Sequence, residues 1–269
     1  MPVNQAERAY RAWTVLGRVA EHRELITYGA LGYELRIHHR AVKFVLSLIQ
    51  DYCLSAQLPP LTILVVQQGR DTPGPGFIAW DVTDLSKGRT AVYKYNWRNL
   101  TNPFSFAKDG TTEADLVDTL VRFPQNAAAV YARVKVRGVA QRIFRAALLK
   151  VYNQKCCFCA FSFTEALEAA HIISWQLATN EQRMSTANGL LLCSTHHRLF
   201  DAGYLTLTPS FKIAYSDPKG IDGPYSSSDR VVTINLHGKM AILPRDEIHF
   251  PAVEALVAHN VKHGWGTLR

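Results

Sequence analysis

The chain reads as an α+β protein in two parts, and three observations predict this. Apolar residues recur at helical spacing through residues 5–22 and 39–56. Short β-branched or apolar runs bounded by Gly and Pro follow, at residues 61–67, 77–80 and 90–95. Between Lys155 and Tyr204 stand four of the five cysteines and three of the ten histidines, arranged in two C-x-x-[CH] pairs. The first two observations give an N-terminal mixed α/β module of winged-helix-like order, helices then hairpin. The third gives a small unit organised by a metal ion.

In order, Ala9, Trp13, Leu16 and Val19 share one side of the first helix. The stretch ITYGALG, from Ile26, is a turn leading into a second short helix, and a third runs from His39 to about Ala56, ended by Pro59-Pro60. LTILVVQ is a strand, broken by DTPGPG. Tyr93, Lys94, Tyr95, Trp97 and Arg98 combine stacking surface with charge, but their alternation favours a strand with one aromatic core face. TNPFSFAKDGTT, residues 101–112, reads as a connector. Beyond the cysteine-rich segment, residues 205–215 and 230–243 alternate like strands around a polar loop, and residues 251–263 form a closing helix.

The formal charge of +8 is unevenly spread: no acidic residue lies between Asp118 and Glu165. Arg133, Lys135, Arg137, Arg142, Arg145 and Lys150 fall inside that interval and are the candidate contacts to a polyanion. In QRIFRAALLKVYNQ, helical spacing puts Phe144, Leu148 and Val151 together and leaves Arg142, Arg145 and Lys150 toward solvent or phosphates. No uninterrupted apolar run is long enough to span a bilayer, and the first residues lack a secretory apolar region. The cysteines cluster in metal spacing instead of spreading as a disulfide framework, so a cytoplasmic protein is expected.

Cys156 and Cys159 form C-x-x-C; Cys193 and His196 form C-x-x-H. Each two-residue gap lets a tight turn point both side chains at one ion, and together they make the Cys3His tetrahedron that zinc prefers. Cys157 and Cys53 do not fit the register and are ordinary thiols. Between the pairs, His171 stands on a short apolar strand or its end, and Asn188-Gly189 is a turn signal before Leu190–Leu192. CSTHHRLFDAG is a short helix closed by Gly203, with His197 and Asp201 four apart on one face.

This segment resembles the HNH endonuclease family, on AAHI-x-x-W followed by R-x-x-x-x-NGLLLC-x-x-HH-x-LFD-x-G, a pattern similar to the bacterial restriction-type branch. The resemblance covers about fifty residues and extends loosely to Gln141-Arg142-x-x-Arg145 and to residues 238–244. It implies a zinc-stabilised ββα-metal nuclease domain in which His171 is the general base, Asn188 fixes the loop or the base, and His197 binds a divalent cation, Mg2+ or Mn2+. Many family members carry an acidic residue or a second His just before the base. Here that position is Ala170, so Asp201 is the expected substitute ligand and Glu168 the weaker candidate. The organisation expected is a DNA-recognition or target-sensing domain at 1–105, a linker at 106–130 and the HNH domain with a C-terminal strand and helix extension at 131–269. The function expected is a metal-dependent DNA endonuclease of restriction or defence type, selective for modified DNA, cutting double-stranded DNA as a homodimer, with no membrane partner. The alternative is a non-catalytic zinc-stabilised DNA-binding module.

Overall fold

The computed structural model describes residues 3–134, 137–217 and 225–265. They fall into two units: Met1–Asp115 with Arg133–Ala140, and Leu116–Ala132 with Gln141–Arg269.

Unit 1 is built on α1, Gln5–Glu21, whose N-terminus is capped by the Asn4 side chain accepting from Glu7 N–H. Its Ala-rich face lets neighbours approach closely, and Trp13, buried there, meets Tyr52, Trp97 and Phe104 edge-on at centroid distances of 5.4, 5.7 and 6.3 Å. A two-residue strand β1, Ile26–Thr27, leads into α2, Tyr28–Glu34, capped by Thr27. A 3-10 turn at His39–Ala41 opens α3, Val42–Ser55, which packs on α1. The sequence's helix from His39 is thus present.

The strands expected after it are mostly not. Residues 61–64 form a 3-10 helix in which Pro60 O accepts from Ile63 N–H, and only Val65–Val66 remain as β2. A fully buried apolar run has no periodicity that separates strand from helix, and here the Pro-Pro step decides. β2 pairs in parallel with β1, Ile26 opposite Val65, so the expected hairpin and its winged-helix order are absent among the described residues. Residues 77–80 are irregular. Residues 90–94 belong to a helix, α4, Leu85–Lys94, nucleated by Asp84 capping Lys87 N–H. Its Gly88 lies so close to Ile63 that a Cβ would stand 2.6 Å from that side chain. The stretch expected as a connector buries Phe104 and Phe106 in unit 1.

Three helices follow: α5, Glu113–Arg122; α6, Ala127–Val134; and α7, Arg137–Val151. In unit 2 the hairpin of β3, Leu167–His171, and β4, Gly189–Cys193, is antiparallel with Leu167 opposite Cys193 and His171 opposite Gly189. Helix α8, Ser194–Asp201, starts where β4 ends and is closed at Gly203, whose φ of +79° explains the glycine. A second hairpin, β5 Leu205–Leu207 with β6 Ile213–Tyr215, comes next. Residues 230–243 are not a strand: a capping box of Ser226 and Asp229 starts α9, Ser227–Val232, and a 3-10 turn at Ile234–Leu236 follows. The closing helix is present as α10, Val253–Lys262.

Under the first hairpin, Phe144 and Leu148 of α7 are buried as their spacing predicts, and a Cβ at Gly189 would stand 2.6 Å from Phe144 Cζ. Gly189 therefore serves close packing of strand on helix, not a hairpin turn. No helix among the described residues is long and apolar enough to cross a membrane.

Candidate active site and metal centre

The ligand atoms of Cys156, Cys159, Cys193 and His196 all lie within 4.8 Å of one another. The two loops bring them together because Cys157 N–H donates to Leu191 O, tying the C-x-x-C turn to β4 just ahead of Cys193. His196 Nδ1 stands 3.4 Å from Cys156 Sγ and 3.3 Å from Cys193 Sγ, while its Nε2–H donates to Val232 O at 3.1 Å. A carbonyl accepts only, so Nε2 carries the proton and the Nδ1 lone pair faces the sulfurs. Three sulfurs and one oriented imidazole fit a tetrahedral ion. Hydrogen bonds from Cys156 and Cys159 favour Cys193 as the thiolate. Without an ion, burial opposes a charge on His196, but its bonds to Cys156 and Cys193 outweigh this and raise its pKa to about 9, so Nδ1 then carries a proton whose place a bound ion would take. Cys157 is buried beside the cluster and outside it.

Helix α8 turns by about 100° per residue, so His197 looks away from the cysteines. Its Nδ1 lies 2.5 Å from Glu168 Oε2, and its Nε2 lies 3.4 Å from Asp201 Oδ2. Ser194 Oγ donates to the other Glu168 oxygen at 2.7 Å. Partial burial works against ionisation of Glu168, and the bonds from His197 and Ser194 overcome it, holding the carboxyl below its usual range. The two carboxylates differ in what they can do. At 2.5 Å, Glu168 is a hydrogen-bond acceptor with no room for an ion between. Two adjacent donors each about 2.1 Å from an octahedral ion stand about 3.0 Å apart, so Nε2 and Asp201 at 3.4 Å need to close only slightly to share one. Ala170, between Glu168 and His171 on β3, is fully buried and pairs opposite Leu190 in the hairpin.

His171 ends β3, three residues from Glu168. Its ring stacks on Phe144 at 4.0 Å and meets Trp175 edge-on at 5.5 Å. Its Nε2–H donates to Arg183 O at 3.0 Å, which puts the neutral ring's lone pair on Nδ1. Arg183 is itself held, donating to Trp175 O, Tyr131 Oη and Asn180 Oδ1 at 3.0, 3.1 and 2.9 Å. Asn188 is buried: Oδ1 accepts from Ile173 N–H at 2.8 Å, and Nδ2 donates to Ile173 O and Gln182 O at 3.1 Å each. Asn188 thus fixes the chain on both sides of the long β3–β4 connection. Arg183, Trp175 and Phe144 escaped the sequence reading as site residues, although the Arg stands in the R-x-x-x-x-NG pattern and Phe144 in the helical stripe.

The basic candidates divide. Arg145, half-buried, donates to Leu167 O at 3.0 Å and Thr164 O at 2.7 Å, tying α7 to β3. Arg133 pairs with Asp109 at 3.1 Å and Lys150 with Asp118 at 2.5 Å, both exposed. Arg137 and Arg142 are exposed on α7, and Lys135 lies outside the described residues.

An HNH endonuclease family model matches residues 156–208. None of the curated proteins compared matches the chain. Among solved structures, a modification dependent TagI restriction endonuclease is similar over 44% of this chain and 36% of its own, at 17% identity and a TM-score of 0.30. The chain thus spans about a third of that protein's length. With the ββα hairpin and helix, the Cys3His cluster and the family match coinciding on one stretch, residues 156–208 are an HNH endonuclease domain.

Proposed function

We propose that the chain is a metal-dependent DNA endonuclease hydrolysing phosphodiester bonds. The observation that carries this reading is the Glu168–His197–Asp201 row on the same hairpin and helix as a strand-end His171 whose tautomer is set by a carbonyl. In this reading His171 Nδ1 takes the proton of the attacking water, and Nε2–H stays on Arg183 O so that the ring cannot turn away. Asn188 keeps the β3–β4 connection in place behind the base. His197 Nε2 and Asp201 hold a divalent cation, Mg2+ or Mn2+, while Glu168 accepts the Nδ1 proton and aims the ring, as a carboxylate behind a metal-bound imidazole does. When bound, that ion polarises the scissile phosphate and stabilises the leaving 3′ oxygen. Cys156, Cys159, Cys193 and His196 hold a structural zinc. Arg137, Arg142, Lys150, Arg133 and Lys135 meet double-stranded DNA, whereas Arg145 acts on the fold.

The likeness to the restriction-type branch supports a restriction or defence role in the cytoplasm, with residues 1–105 selecting the target, modified DNA included, 106–130 linking and 131–269 cutting. Two strands need two cuts, which suits a homodimer.

The test is incubation of purified protein with unmodified, methylated and hydroxymethylated plasmid, with Mg2+, Mn2+ or EDTA, beside His171→Ala. Cation-dependent cutting that falls by about 100-fold or more in His171→Ala, with zinc content and DNA affinity unchanged, is the expected result. Binding without cutting on every substrate would replace the nuclease with a zinc-stabilised DNA-binding module.

A further inference from the structure

A cavity of about 540 Å³ lies in unit 1, far along the chain from the HNH segment. That volume falls within the range of roughly 300–1,000 Å³ used by small-molecule sites. Tyr28, Phe44 and Phe77 line it with aromatic surface, His39, Arg40 and Lys43 with basic groups, and no carboxylate is among its lining residues. An aromatic and cationic lining without acid selects a flat ligand that carries negative charge.

The cavity wall is built, not incidental. The Gly-Pro loop that broke the expected strand is pinned by three side chains. Tyr28 Oη accepts from Gly74 N–H at 3.2 Å, Gln67 Nε2 donates to Pro73 O at 3.0 Å, and the buried Gln50 bridges Gly76 O and Ile78 N–H at 3.3 and 3.1 Å. A Cβ on Gly74 would stand 2.7 Å from Tyr28 Oη, so only glycine lets loop and ring meet. Having accepted from Gly74, the Tyr28 hydroxyl keeps its proton to donate, and burial pushes its pKa up, which keeps that proton in place.

Thr62 is the second, independent pointer. It lines the cavity, is 3% exposed, and its Oγ1 has no hydrogen-bond partner among the described residues. Buried hydroxyls in native proteins are paired; this one is itself closed off from the cavity that Thr62 lines, so a rotation about χ1 is what would turn it to a ligand's polar edge. At the mouth, Phe44 is 54% exposed with Lys43 Nζ 4.9 Å from its ring centre, a stacking face with a cation beside it.

We infer that this cavity binds one nucleotide, its base among Phe44, Phe77 and Tyr28, a polar base edge on Thr62 and its phosphate on Arg40 and Lys43. The nucleotide is either a base turned out of a DNA duplex or a free one, and the inference rests on the nuclease reading only for the DNA source.

The experiment uses the full chain and reads binding. Calorimetry with the deoxynucleoside 5′-monophosphates of A, G, C, T, 5-methyl-C and 5-hydroxymethyl-C is run beside fluorescence of a duplex carrying 2-aminopurine, which brightens when unstacked. Two variants accompany it: Phe44→Ala, at an exposed position that leaves folding intact, and Thr62→Val, which keeps the shape and removes the unpaired hydroxyl. Binding of at least one monophosphate, weakened roughly tenfold by either variant while Thr62→Val holds or raises Tm, is the expected result. Brightening with the natural chain and not with Phe44→Ala assigns the base to the duplex; monophosphate binding without brightening assigns it to free nucleotide. No monophosphate bound and no brightening, or variants that bind like the natural chain, would overturn the inference. A chain that binds nucleotide here and cuts nothing would remove the nuclease reading and leave this one standing.

Discussion

At the scale of single residues, the site depends on which nitrogen of each histidine carries the proton, and three acceptors decide it: Val232 O for His196, Arg183 O for His171 and the Glu168 carboxylate for His197. Removing such an acceptor leaves the ligand present but badly aimed. Glu168→Ala should therefore weaken Mn2+ binding by about 10- to 100-fold while zinc content stays the same, measured by titration and metal analysis; unchanged Mn2+ affinity would mean that Glu168 does not orient His197. The cluster of Cys156, Cys159, Cys193 and His196 and the His197–Asp201 contact were legible in the sequence, because the spacing within each C-x-x-[CH] pair and along one helical turn points those side chains together. The acceptors were not, since two of the three are backbone carbonyls and carry no side-chain signal. Glu168 was legible only as a possible ligand, because sequence does not tell a carboxylate behind an imidazole from one beside it.

At the scale of elements, the helices α1, α3, α7 and α10 follow from apolar spacing, whereas the pairing of β3 with β4 was implied by the family resemblance. The failures were short apolar or alternating runs: residues 61–64, 90–94 and 230–232 became helical because a proline step, Asp84 and the Ser226–Asp229 box each nucleate a turn there. Helix α10 carries a different chemistry, with His259 4% exposed and stacked on Phe200 of α8 at 3.9 Å. Burial, aided by the neighbouring His263, lowers the His259 pKa to about 4, so the folded chain refuses a proton that the unfolded chain takes up near pH 6.5. The stability tied to this neutral ring is therefore complete above about pH 6.5 and is lost as pH falls toward 4, a change of about 3 kcal/mol. Denaturant titrations at pH 7 and pH 4.5 should show His259→Gln losing less stability on acidification than the natural chain. Equal losses would mean that His259 is not the group responsible.

At the scale of the whole molecule, the +8 charge matters less than where the cations are committed. Arg145 is spent on Leu167 and Thr164, whereas Lys150 pairs with an exposed carboxylate and the Arg142 side chain is solvent-exposed on α7. In DNA-binding isotherms over a range of NaCl, Arg142→Ala and Lys150→Ala should each flatten the slope of log K against log salt by about one unit. Arg145→Ala should instead lower Tm; a flattened slope there with Tm unchanged would make it a phosphate contact after all. The sequence could locate this basic stretch, but not which of its members fold the protein, because that division is made by carbonyls and carboxylates distant along the chain.

The Cys3His cluster joins Cys156 to His196 across a stretch that holds both His171 and Asn188. In topological terms an ion held there would be a staple that closes a loop, limiting the unfolded chain as a disulfide would in a secreted domain. Stripping it with a chelator should leave unit 1 folded and release the stapled stretch, giving a species of nearly unchanged mass but larger Stokes radius. Size-exclusion chromatography before and after zinc is restored reads that change directly, and an elution volume indifferent to zinc would show that the hairpin holds without its staple.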